Sequence, residues 1–122
     1  MKHEVRLAEM EAKFADIVWA NAPLTTHQLV ELCAVEPLNW KRTTTYTVLK
    51  KCCDRGIFKM ENGLVTVEMT RDMFRSVISE NFVERTFGGS LPAFIAAFTA
   101  RKTPTEKELA EIRRMLDSFR EA

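Results

Sequence analysis

Positive charge is concentrated between positions 41 and 59 of this 122-residue chain. Six basic residues occur there against one acidic residue, Asp54, which makes the segment +5 in a chain whose formal net charge is +1. The six are Lys41, Arg42, Lys50, Lys51, Arg55 and Lys59. A cluster of this kind attracts phosphate groups and displaces the counterions condensed on nucleic acid. We therefore predict a phosphate-binding surface, with a solvated helix face that binds nothing as the alternative.

Residues 39–56 predict an amphipathic helix that would present much of this charge on one face. At about 100° per residue, the apolar side of the helix carries Thr45, Val48, Leu49 and Cys52. The opposite side carries hydroxyl groups and positive charge, from Thr43, Tyr46, Thr47, Lys50 and Lys51. Hydroxyl groups can donate to phosphate oxygens, and threonine can also contact base edges and thymine methyl groups. The polar side is therefore suited to double-stranded DNA.

Cysteine and histidine residues could support other chemistry, but their spacing does not favour it. Cys52 and Cys53 are adjacent and Cys33 is distant, whereas zinc sites normally use spaced pairs such as C-x-x-C. The chain has no G-x-S-x-G, P-loop or H-E-x-x-H pattern that would anchor catalysis. We expect no enzyme activity, no metal site and no cofactor. A thiol or metal sensor is the minor alternative.

The composition and the cysteine count limit the classes of protein to which the chain can belong. At 46% hydrophobic and 29% charged residues, the chain is typical of a soluble globular protein. No apolar run approaches the roughly 18 residues that a membrane-spanning helix requires, so we expect no membrane insertion. Three cysteines, an odd number, argue against a disulfide framework and suit the reducing cytoplasm.

The elements around the basic helix follow a recognisable order. An apolar stripe predicts a helix over residues 6–20, and a capping-box pattern at Thr25 and Gln28 predicts a second, short helix. After Gly56, the dipeptide Asn62-Gly63 separates two β-prone segments and predicts a hairpin. Helix, connection, helix and hairpin form a winged helix-turn-helix, whose second helix of the pair enters the major groove.

The remainder of the chain predicts three helices with more apolar surface than they can bury alone. Residues 70–87 form the first, and a capping-box pattern at Thr105 and Glu108 begins the last. The apolar stripes contain Phe74, Ile78, Leu91, Phe94, Ile95, Phe98, Leu109, Ile112, Leu116 and Phe119. A segment of about 50 residues buries little of its surface by itself, so a partner chain is the natural cover. We predict a mainly α protein with a small β-hairpin, divided into residues 1–70 and 71–122.

The ordered set of segments resembles the penicillinase-repressor family of bacterial transcriptional repressors. The resemblance runs from about Leu7 to Phe119, and its most specific part is the pattern W-x-x-x-T-x-x-T-x-L. The residues of that pattern are Trp40, Thr44, Thr47 and Leu49. They precede Gly56, where the predicted helix ends, and a short wing.

The resemblance implies a dimeric repressor with an N-terminal winged-helix domain and a C-terminal helical dimerisation domain. Two subunits would bind a palindromic operator and block transcription of an antibiotic-resistance operon or of the repressor's own operon. By position, the recognition helix carries Arg42, Thr43, Thr44, Tyr46 and Thr47. Lys59 and Asn62 lie in or near the wing, and Lys50 and Lys51 complete the predicted DNA-binding set. The apolar stripes would form the dimer interface.

The resemblance also implies a route for relieving repression. A membrane sensor protease often cuts an Asn-Phe bond in the dimerisation domain of such repressors, and this bond falls at Ala97-Phe98 here. Because asparagine is absent, a protease of different specificity or a different signal would be needed. No cysteine follows Cys53, so the copper-responsive mode of the family is not expected. A protein-interaction adaptor that binds no specific DNA is the alternative function, since fold alone does not define function.

Overall fold

Residues 7–121 are described by the computed structural model. They form, in chain order, α1 (Glu9–Asn21), β1 (Leu24–Thr25), α2 (Thr26–Cys33), α3 (Arg42–Asp54), β2 (Phe58–Glu61), β3 (Leu64–Val67), α4 (Arg71–Phe87), α5 (Leu91–Arg101) and α6 (Glu106–Glu121). This mainly helical arrangement with a small antiparallel sheet confirms the predicted fold class. Arg6, the first residue of the first predicted helix, lies outside the described residues. Over the described range, no helix has the length and apolarity needed to span a membrane.

Both predicted capping boxes are present and explain where two helices begin. The Thr25 hydroxyl oxygen accepts a hydrogen bond from the Gln28 amide at 3.1 Å, and the Thr25 amide donates to Gln28 Oε1 at 2.8 Å. The same reciprocal pair joins Thr105 and Glu108, at 3.1 and 2.9 Å. These bonds satisfy amides that have no partner within the first turn of a helix.

The sheet contains one strand that the sequence did not predict. Its order is β1-β3-β2, all antiparallel, and β1 pairs Leu24 with Val65. The amide of Thr26 donates to the Gly63 carbonyl at 2.9 Å, which fastens the hairpin tip to the start of α2. The tip itself follows the prediction, because Asn62 and Gly63 have φ of 50° and 75°. Such left-handed angles are those of a tight hairpin turn.

Aromatic rings join α1 to the sheet in the core of the N-terminal half. Phe14 is fully buried; its ring centroid lies 6.4 Å from that of Phe58 and 5.6 Å from that of Trp40, which stacks on it. The Trp19 ring lies 5.6 Å from the Phe58 ring, and its indole N–H donates to the Met69 carbonyl at 2.9 Å. The two tryptophans therefore act as packing anchors.

The packing divides the described residues into two units, with the boundary between Glu80 and Asn81. Phe74 belongs to the first unit. It is 7% exposed, and its ring lies 5.4 Å from that of Trp19 in the core of the first unit. Ile78, one turn later, packs partly buried against the same core. Because Phe74 packs in this core, we leave it out of the proposed dimer surface, although its spacing predicted that it would belong there.

The second unit contains no buried residue among positions 81–121. Four phenylalanine rings form its main cluster, with centroids 5.7–6.1 Å apart, from Phe82, Phe87, Phe94 and Phe98. The Ser90 hydroxyl accepts from the Ala93 amide at 3.1 Å and caps α5. The unit therefore has formed helices and an aromatic cluster, but no enclosed core.

Candidate nucleic-acid interface

Helix α3 is oriented by four side chains that point into the core of the first unit. They are the four placed on the apolar side from the sequence, Thr45, Val48, Leu49 and Cys52, and none is more than 7% exposed. Thr43, Thr47 and Lys50 are exposed on the other side. Because both faces of one helix are determined by the same rotation, burial of the first set holds the polar face toward solvent.

The threonine hydroxyls of α3 have different hydrogen-bonding capacity. Thr47 Oγ1 donates to the Thr43 carbonyl at 2.9 Å, so its hydrogen is used within the helix. Its lone pairs and its methyl group remain on the exposed face. The lone pairs can accept a hydrogen bond from the amino group of adenine or cytosine, and the methyl group can contact a thymine methyl. Thr45 instead donates to the Lys41 carbonyl at 3.3 Å and is buried.

The first turn of α3 also holds an arginine–aromatic pair. The guanidinium carbon of Arg42 lies 5.4 Å from the centroid of the Tyr46 ring, one turn further along the helix. Arg42 is exposed and Tyr46 is half-buried. Attraction between a cation and the face of an aromatic ring stabilises this arrangement.

The last turn of α3 is tied to α1 by a carboxylate that the sequence did not single out. Glu11 Oε2 lies 3.9 Å from Lys51 Nζ, and Glu11 Oε1 lies 3.6 Å from Arg55 Nη1. The Glu11 side chain is only 17% exposed and also accepts from the Ala8 amide at 3.1 Å. Lys51, whose contact with DNA stays a prediction, has its ammonium group beside Glu11 of α1.

We predict that Glu11→Gln lowers the free energy of unfolding by about 1 kcal/mol, because two cations lose their shared carboxylate. Glutamine keeps the size of the side chain and can still accept from the Ala8 amide. Urea unfolding followed by circular dichroism measures the change. Asp54→Asn is the matched control, since it breaks the exposed Lys50–Asp54 pair at 3.8 Å. We expect the control to change stability by less than about 0.5 kcal/mol; equal losses in both variants would contradict the role of Glu11.

The wing carries paired rather than free charge. Lys59 Nζ lies 2.6 Å from Glu61 Oε1, and the hydrogen bond and charge of Glu61 raise the pKa of Lys59. Glu68 adds a smaller effect of the same sign. Asn62 is exposed at the tip. The predicted wing residues are therefore available to DNA, but the wing attracts phosphate less than the lysine count suggests.

The cysteines behave as packing residues. Cys33 and Cys52 are buried, while Cys53 is half-buried, and all three are free thiols. Burial raises the pKa of Cys52 to about 12, with a further contribution from the charge of Glu11. Burial likewise raises the pKa of Cys33 and Cys53. A thiol held protonated is a poor nucleophile and metal ligand. In the part of the chain that the structure describes, no three His, Cys, Asp or Glu residues are grouped to hold a metal ion.

A short capped helix, a second helix with an exposed polar face and a β-hairpin define a winged helix-turn-helix DNA-binding protein. The family model described as Penicillinase repressor matches residues 7–118, which is most of the chain. This protein therefore belongs to the penicillinase repressor family, whose members are transcriptional repressors rather than enzymes. A comparison with curated proteins finds no match.

Proposed function

We propose that this protein is a dimeric repressor that binds a palindromic operator, in its own operon or in an antibiotic-resistance operon, in the cytoplasm. The observation that carries the proposal is the fixed orientation of α3, whose buried side leaves a hydroxyl- and arginine-bearing face exposed. The proposed DNA-binding residues are Arg42, Thr43, Thr44, Tyr46, Thr47, Lys50, Lys51, Lys59 and Asn62. Within this set, Lys51 acts through long-range charge, because it lies beside Glu11.

Dimerisation through the second unit is supported by its uncovered apolar surface. Phe98, Leu116 and Phe119 are 57%, 51% and 71% exposed. Leu91, Ile95, Ile112 and Met115 are also more than 40% exposed. A soluble protein rarely leaves this many large apolar side chains in water unless a partner covers them. A second copy carries identical stripes, which a two-fold axis can bring face to face.

The proposed dimer surface consists of side chains from α5 and α6. It contains Leu91, Phe94, Ile95, Phe98, Leu109, Ile112, Leu116 and Phe119. We place Ile78 only at the edge of the proposed dimer surface, because it packs partly against the core of the first unit. We propose accordingly that the DNA-binding domain of residues 1–70 is extended by the first turns of α4, and that the rest of residues 71–122 serves dimerisation.

Linking two recognition helices in one dimer explains how a small DNA-binding module binds its operator tightly. One module buries a modest area on DNA, while a second half-site contact made by the same dimer occurs at high effective concentration. Separation of the α5 and α6 surfaces would therefore release the operator without changing α3. This is the physical basis for control of the repressor at a distance from the base contacts.

We also propose Ala97-Phe98 as a bond through which a sensor protease relieves repression. The bond lies within α5, and both residues are exposed. Proteases bind extended backbone, so α5 must unwind locally before cleavage. The intact mass of the protein from cells exposed to a β-lactam tests this: a fragment that ends at Ala97 supports it, and an uncut chain in derepressed cells contradicts it.

The adaptor alternative has one structural observation in its favour. Leu32 and Val35, 38% and 59% exposed, line an open groove with Pro23 and Gln28 at the side of α2. An open groove with both apolar and polar side chains can receive a segment of another protein. The operator experiment below separates the two functions.

Operator selection tests the proposed function directly. Purified protein is mixed with randomised duplex DNA at near-physiological salt, and the bound fraction is sequenced. We expect a palindrome with half-sites about one helical turn apart. We also expect the logarithm of the binding constant to fall, for each tenfold rise in salt concentration, by about 0.9 per phosphate that the protein neutralises. A folded protein that selects no motif and does not shift DNA would instead support the adaptor.

A further inference from the structure

Arg42 differs from most basic residues of the 41–59 segment in what it contacts. Four of the others have a carboxylate oxygen within 4 Å: Lys50, Lys51, Arg55 and Lys59. The guanidinium of Arg42 lies over the ring of Tyr46, and no carboxylate of residues 7–121 is paired with it. Its charge is therefore not neutralised by any carboxylate of the described residues.

The contact with Tyr46 orients Arg42 without using its hydrogen-bond donors. An aromatic ring attracts the flat face of a guanidinium, while the N–H groups point outward in the guanidinium plane. In such a contact the edge of the guanidinium is available to a ligand that offers two acceptors side by side. Because the contact restricts the rotamers of a long side chain, less conformational entropy is lost when that ligand binds.

The place of Arg42 in the helix determines which acceptors it meets. It is the first residue of α3, and the N-terminal residues of a recognition helix are those that reach base edges in the major groove. Arginine has donors only. Guanine alone presents two adjacent acceptors there, O6 and N7, whereas adenine presents one acceptor and one donor.

We propose that Arg42 is a specificity-determining residue that reads one guanine in each half-site, and that Tyr46 is a positioning residue for its guanidinium. The inference rests on the proposed function and adds the identity of a base to it. In a two-fold symmetric dimer, the guanine occurs at symmetric positions in the two half-sites. Thr47, with an acceptor and a methyl group to offer, reads a different position.

The test compares operator selection by the parent protein with selection by Arg42→Ala. We expect the parent motif to contain an invariant guanine in each half-site, and the variant to lose preference at that position alone. Replacing this guanine by 7-deazaguanine, which lacks the N7 acceptor, should weaken parent binding by about tenfold per half-site. The same replacement should leave Arg42→Ala binding unchanged.

Tyr46 and Thr47 supply the control variants. Tyr46→Phe keeps the ring and should keep the guanine preference, whereas Tyr46→Leu should reduce it. Thr47→Val keeps the shape of the side chain but loses the hydroxyl, so any change in motif must fall at another position. Circular dichroism confirms that each variant is folded before its motif is compared.

Two outcomes would overturn the inference in distinguishable ways. If Arg42→Ala keeps the parent motif but binds every duplex more weakly, with a salt slope reduced by about one per subunit, Arg42 contacts a phosphate. The proposed function would then stand without this base contact. If the folded parent protein selects no palindrome at all, the inference fails together with the proposed function.

Discussion

We expect the replacement of Leu116 by aspartate to convert the proposed dimer to a monomer and to weaken binding to the proposed operator by about 10²- to 10⁴-fold, the usual gain from linking two sites. Leu116 lies in the middle of the α6 stripe between Ile112 and Phe119, and it is 51% exposed in the single chain. A carboxylate at this position would have to be buried between two apolar surfaces without a partner. The dimer would therefore separate, while α3 would keep its conformation.

Light scattering coupled to gel filtration measures the change in mass, and titration of a palindromic duplex at fixed salt measures the change in affinity. Ala110→Asp is the matched control, because it adds the same charge to α6 on the side away from the stripe. The control should remain dimeric and bind the full operator normally. A dimeric Leu116→Asp variant with unchanged affinity would show that α6 does not hold the subunits together.

The Phe58→Ala variant will lose about 3–5 kcal/mol of unfolding free energy in the first unit, as expected when a fully buried ring is removed. Phe58 is 1% exposed, and its ring lies 6.4 Å from that of Phe14 and 5.6 Å from that of Trp19. Rigid aromatic neighbours cannot collapse into the space, so a cavity would remain. Natural domains are stable by only about 5–15 kcal/mol, and this variant would be partly unfolded at modest temperature.

Urea unfolding monitored by tryptophan fluorescence measures this loss, because Trp19 lies against the substituted ring. Leu64→Ala serves as the control in the same hairpin, since Leu64 is 43% exposed. We expect the control to change stability by less than about 1 kcal/mol. A loss in Phe58→Ala no larger than in the control would mean that the wing is not held by this aromatic cluster.

The pairing of charges changes how the basic segment should act on DNA. Glu11, Asp54 and Glu61 neutralise much of the positive charge that the segment contains. Attraction to phosphate depends on the charge that remains, so binding to unrelated DNA should be modest. In the proposed function, the exposed hydroxyls of α3 and the guanidinium of Arg42 would then be the groups that discriminate between sequences. This balance suits a repressor that must find one operator among many competing sites.

Local patterns were sufficient for much of the fold and for one face of the site. The periodicity of α3 identified Thr45, Val48 and Leu49 as buried, since rotation per residue is a property of any helix. The capping box at Thr25 and the turn at Asn62-Gly63 were equally readable, because each depends on bonds or angles within a few residues. The same ordered motifs indicated the family.

Only the tertiary structure decided which distant residues meet. The two-residue strand β1 has no periodicity to detect and exists because β3 lies beside it. Glu11 is a surface residue by helical pattern, yet α1 packs so that its carboxylate meets Lys51 and Arg55. Phe74 has the spacing of the C-terminal stripes, but the first turns of α4 bury it against Trp19. Side-chain type and spacing define an element and its faces, whereas the partner of each face depends on contacts between segments far apart in the chain.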